Sequence, residues 1–176
     1  IEIVESERPR WREGRAWHVD SAPTLTIGSA LEGDPAMQFT RISGVARLSD
    51  GRIAVVDDQT AELRIFDASG RHLATAGGQG GGPGEYTSPL RLLRLPGDTL
   101  LISGGFSKPR LGRHASDGGF VRLLELPPVG SENRPATLTY RFDDGTSLVG
   151  PGGFRIVQPR GGTWTDSVAY YRVLGG

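Results

Sequence analysis

Two adjacent carboxylates, Asp57 and Asp58, close the apolar run "IAVVDD", and the guanidinium of Arg64 follows within the next short segment. Carboxylates at the end of a strand can offer oxygens to Ca²⁺, but calcium loops order their ligands as D-x-D-x-D-G, and that order is missing here even when Asp67 is counted. Glycoside hydrolysis needs two carboxyl groups at a set separation, one with a raised pKa, and nothing in the spacing supplies either. The expectation for Asp57 and Asp58 is that they cap a turn or face water. With Arg64 they mark the strand ends where a degenerate carbohydrate- or peptide-processing site would lie, or where an interaction surface would form.

The other residue types that do chemistry are scattered. His18, His72 and His114 never fall at the spacing that lets one helix or strand present two imidazoles to a metal. A hydrogen-bonded or solvent-facing structural role is expected for them, and neither a metal nor a cofactor is expected. Ser147 in "GTSLVG" misses the G-x-S-x-G elbow by one residue and sits in a predicted strand, so a serine nucleophile has no support. The glycine run "AGGQGGGPGEY", 76 to 86, lacks the Lys and hydroxyl of a phosphate loop, because Pro83, Gly84 and Glu85 stand in their place. It fails the dinucleotide fingerprint too, since the third glycine falls on Pro83.

Composition narrows the remaining classes. Lys plus Arg and Asp plus Glu are 20 each, which leaves no net field to draw nucleic acid or acidic lipid, and no nucleic-acid partner is expected. Cys is absent, which removes disulfides, thiolate metal sites and Cys nucleophiles. No apolar stretch is long enough to span a bilayer as a helix. The first residue is Ile1, and since an initiator Met is not normally trimmed before so bulky a residue, a leading segment cleaved on export is expected. Gly, at 27 residues, favours a turn-rich all-β chain.

The elements that must position these residues recur at constant spacing. "LSDGRIAVV" from 48, "LPGDTLLIS" from 95 and "FDDGTSLVG" from 142 align without gaps at an interval of 47 residues, each reading as strand, tight polar turn, strand. The same interval carries Phe39 onto Tyr86, and an interval of 48 carries Leu63 onto Leu111 and Gly70 onto Gly118. In "ELRIFDASGRHLAT", Leu63 and Ile65 share one strand face and Glu62 and Arg64 the other, with Asp67 and Gly70 suited to the ends of a type I turn. The expected fold is all-β: three tandem four-stranded antiparallel meanders of a β-propeller type, with units near 42–76, 90–126 and 136–174 inside a domain of 24–176. Because the register runs through the glycine stretch, that stretch reads as a crossover between units in which Tyr86 tucks back as Phe39 does one unit earlier.

These segments, from "PTLTIG" through "VARLSDGRIAVVDDQTAELRIFDASGRHLATAGGQGGGPGEY" to "LPGDTLLIS", resemble bacterial six-bladed β-propeller proteins of the NHL-like kind, often exported lipoproteins. The resemblance covers about Trp11 to Leu126 and implies a fold more than a function. It departs from the family in blade number: three units form an incomplete, open propeller or a distorted β-sandwich, with Thr24–Ile27 expected as a strand that completes a neighbour's sheet. Open blade faces imply a protein partner or self-association. Residues 1–23 read as an N-terminal strap, in which Arg10, Trp11, Arg12 and Trp17 either dock a partner, being residue types favoured at interface hot spots, or pack onto the chain's own blades.

The function expected from the sequence is a non-catalytic interaction or scaffolding module, exported to the periplasm or cell envelope. It would be an accessory subunit of a larger assembly, with respiratory or photosynthetic membrane complexes among the possibilities. A degenerate processing enzyme or a small-ligand sensor is the alternative.

Overall fold

The computed structural model describes residues 19–28, 33–88, 90–105, 109–125 and 128, together with the strand segments 136–141, 146–151 and 171–173. Arg10, Trp11, Arg12 and Trp17 lie outside the described residues, as does His18.

The first sheet is a meander of β1 (Ile42–Arg47), β2 (Ile53–Asp57), β3 (Glu62–Phe66) and β4 (His72–Gly77), each strand antiparallel to the next. The second repeats it with β5 (Leu90–Arg94), β6 (Leu100–Gly104), β7 (Arg110–His114) and β8 (Phe120–Leu124). A third sheet contains β9 (Ala136–Arg141), β10 (Ser147–Pro151) and β11 (Tyr171–Val173) in the order β11-β10-β9, three strands among the described residues where four are expected. Short 3-10 turns at Pro35–Met37 and Pro96–Asp98 are the helical elements among the described residues. The fold is therefore all-β, built from separate unclosed meanders.

Side-chain alternation explains how the sheets stack. In the first sheet Ala54 lies opposite Ile65 and Val56 opposite Leu63, so these four apolar residues share a face. That face packs on Tyr86, Leu90, Leu100 and Ile102 of the second unit to form one buried cluster. Burying each such Leu, Ile or Val contributes about 1.5–3 kcal/mol, so this seam is the main source of cohesion between the two units. The inner strands approach closely: a Cβ added at Gly44 on β1 would come within 2.6 Å of the Leu92 Cβ on β5.

The outer turns also repeat. The N–H of Gly70 donates to the Asp67 carbonyl and that of Gly118 to the Ala115 carbonyl, with φ of 88° and 90°, a left-handed backbone that glycine adopts without strain. Thr24–Ile27 departs from expectation, because it forms no strand. Instead Leu25 and Ile27 rest against the Gly70 turn, so an outer corner of the first sheet is covered by irregular chain.

Candidate functional site: a polar seam between two sheets

The groups that looked available for chemistry sit along the seams of the fold. Asp57 ends β2 fully buried and accepts from the backbone N–H of Thr40 (2.7 Å), Arg41 (3.1 Å) and Gln59 (3.0 Å). Burial alone would raise its pKa, but the backbone donors of Thr40, Arg41, Gln59 and Thr60 outweigh it and hold the carboxyl below the ordinary value. The carboxylate thus anchors the entry to β1, whose N–H groups would otherwise lack partners.

Asp58 is also buried, and it points to the second unit. It accepts from the N–H of Leu90 (2.8 Å) and the hydroxyl of Ser88 (2.6 Å), and Arg41 closes the group at 2.9 Å from its second oxygen. Neighbouring in sequence, the two carboxylates have different tasks: Asp57 ties the first sheet to its own entry and Asp58 ties it to the next sheet. Asp67 is elsewhere, in the outer turn, where it accepts from Ser69 and Arg71. The Ser69 hydroxyl and the Arg71 N–H hold its carboxyl well below the usual range. The three carboxylates do not converge on one point.

Arg64 is buried, although strand alternation places it on the face away from the apolar seam. Its guanidinium pairs with Glu62 at 2.6 Å, donates to the carbonyls of Ala36 (3.2 Å) and Gln38, and stacks 5.0 Å over the Phe39 ring. The segment just before β1 therefore lies over this face and is bolted down by the arginine. In the glycine crossover the Gly82 N–H donates to the Glu85 carboxylate (2.7 Å) and the Gly80 N–H to the Tyr86 carbonyl (3.1 Å), so these two donors are taken within the loop itself.

Two parts of the seam are harder to read from sequence. Asp98, in the turn between β5 and β6, accepts from the N–H (3.1 Å) and hydroxyl of Ser49 in the first unit and pairs with Arg94 at 2.7 Å. The Ser49 hydroxyl, with Arg94, holds the Asp98 carboxyl below its usual value. His114 is fully buried with Tyr86: Nε2 lies 2.7 Å from the Tyr86 hydroxyl and Nδ1 2.8 Å from the Gly118 carbonyl. Burial depresses the His114 pKa, an effect opposed by the Gly118 carbonyl, and burial raises the Tyr86 hydroxyl to about 12. The signal for this pair was present in the repeat, since the interval that maps Phe39 onto Tyr86 is accompanied by one that maps Phe66 onto His114. His72 lies on the outer strand β4, 2.8 Å from the Thr75 hydroxyl.

Among the described residues no three His, Asp or Glu side chains gather into a cluster able to hold a metal, and no helix is long and apolar enough to cross a membrane. What the geometry can do is hold sheets in register and present their outer surfaces. The inner strand β1 shows such a surface: Ile42 is 51% and Val45 62% exposed. The residue at the matching register on β5, Leu92, packs against the buried seam.

Comparison with known proteins agrees with this architecture. Residues 30–91 match a family described as "6-bladed beta-propeller". The solved structure of a candidate exported protein from Bacteroides fragilis is similar, at 17% identity and a TM-score of 0.55, over 71% of this chain and 32% of that one. At that identity the likeness speaks for the fold, and the chain spans about a third of the relative's length. No curated protein matches the sequence.

Proposed function

We propose that this chain is a non-catalytic recognition module of β-propeller type that works by docking a protein on exposed blade surface, in an extracytoplasmic compartment. The observation that carries the reading is where the reactive side chains are spent. Asp57, Asp58, Arg64, Asp98 and His114 each hold one part of the fold to another, and exposed apolar residues stand on the inner strand of the first blade (Ile42, Val45) as well as on the outer strands β4 (Leu73) and β8 (Val121, Leu123). Val45 supports the choice of surface, because its counterpart Leu92 shows what that register does when a neighbouring sheet is present. Export is supported by the likeness to a candidate exported protein. A role as accessory subunit of an envelope complex follows as the finer form of the proposal.

Val45→Asp tests it. At this exposed strand position the change costs about 1 kcal/mol of folding stability, the span of strand propensity. Affinity purification should retain a protein partner, or a second copy, on the parent chain and lose it from the Val45→Asp chain. A parent chain that runs as a monomer by size exclusion with light scattering and retains nothing contradicts the proposal.

A further inference from the structure

Among the described residues, the Tyr86–His114 pair is the one place in the seam where a group that titrates near neutrality is buried between two sheets without a counter-charge. The Gly118 carbonyl can only accept, so Nδ1 carries the ring hydrogen and Nε2 keeps its lone pair, to which the Tyr86 hydroxyl donates. A second proton must go to Nε2, directly facing the tyrosine hydrogen, which then has to turn away from a site walled by Phe120 and Leu100.

The surrounding charges do not help. From β7, Arg110 is the cation that acts on Tyr86, and Arg113 is exposed; from β8, Arg122 is exposed. In the crossover the Glu85 carboxylate is taken by Gly82 N–H, and in the outer turn the exposed Asp117 accepts from Gly119 N–H. Where the first sheet meets the Gly118 turn it offers Ile65 and Ala76, and beside them Arg52, which donates to the Ser116 carbonyl (3.0 Å) and is itself paired with Asp50. In the first unit the corresponding positions are Phe39 and Phe66, with ring centroids 5.9 Å apart, the same separation as Tyr86 and His114. The fold therefore has an apolar form of this contact, and the second unit carries a polar, proton-accepting one.

We infer that Tyr86–His114 is an acid-released latch: uptake of a second ring proton by His114 loosens the second sheet from the first. The sign follows from which state binds the proton. The unfolded chain protonates an ordinary imidazole, whereas the folded chain resists it, so stability is full above the ordinary histidine value and falls as pH drops below it, until the folded site itself protonates. In that window the folding equilibrium constant falls by up to tenfold per pH unit through this one group.

The test is urea unfolding of the full chain between pH 7.5 and 5.0, beside the double variant Tyr86→Phe/His114→Phe, which installs the aromatic pair of the first unit. On acidification the parent should lose far more stability than the double variant does. Its Leu90 amide, which bridges the sheets to Asp58, should also lose hydrogen-exchange protection once intrinsic rates are divided out. Parallel pH profiles for the two proteins would overturn the inference. Should the double variant fail to fold, NMR titration of the His114 ring in the parent decides alone: a midpoint below that of an ordinary histidine supports the latch, and one at or above it overturns it.

Discussion

The first and second units solve one packing problem with different residues. In the first, Phe39 from the entry segment meets Phe66 on β3, and Phe66 meets His72 edge-on at 5.6 Å. In the second, Tyr86 from the crossover meets His114 on β7, and His114 meets Phe120 edge-on at 5.6 Å. Each aromatic triangle has one imidazole, but it has moved from the half-buried outer strand to the buried third strand. The entry segment is fastened similarly in both. Arg64 donates to the Gln38 carbonyl, just before Phe39, and Arg110 donates to the Glu85 carbonyl, just before Tyr86, at 3.2 Å. These arginines do not occupy equivalent positions. Gly112 stands where Arg64 would be, and this space is what admits the tyrosine hydroxyl. The lesson is that the aromatic tuck and its carbonyl bolt are what the repeat preserves, whereas the residues delivering them can shift along the strand.

That comparison can be broken at Gly112. A Cβ there would fall 1.7 Å from the Tyr86 hydroxyl oxygen. Gly112→Ala should therefore expel Tyr86 and cost about 4 kcal/mol, comparable to losing a buried aromatic side chain, as measured by urea unfolding. Partial rescue by adding Tyr86→Phe would show that the hydroxyl is the point of collision. The two bolts sharpen it further. Arg64→Ala strips a buried guanidinium from Glu62 and two carbonyls and should cost about 3 kcal/mol. Arg110→Ala, removing one long bond from a half-buried residue, should cost about 1 kcal/mol. Equal losses would contradict the ranking in which Arg64, with more partners, is the stronger of the two bolts.

Much of the architecture was legible because it is local or periodic. The 47-residue interval placed the paired strands around the turns at Gly51 and Gly97, and the Asp67 to Gly70 turn follows from side-chain and backbone bonding within a few residues. The crossover reading of the glycine run was legible for the same reason, since the register continues across it. Burial of Arg64 was not legible, because the strand pattern alone sends it to an outer face and its cover comes from Ala36 to Phe39, before the first strand. The Ser49 to Asp98 tie joins two turns that neither contains a local reason to pair. Thr24–Ile27 has strand-like composition but pairs with none of the sheet edges among the described residues, and it settles on an outer turn instead.

The central claim is that the carboxylates at the end of β2 serve the fold. Asp57→Asn tests it most directly, because the change keeps the shape while removing the charge that three backbone donors converge upon. Urea unfolding at pH 7.5 should show a lowered midpoint, with faster hydrogen exchange at the amides of Thr40 and Arg41. An unchanged midpoint with protection intact at both amides would contradict the account and return Asp57 to the candidates for chemistry.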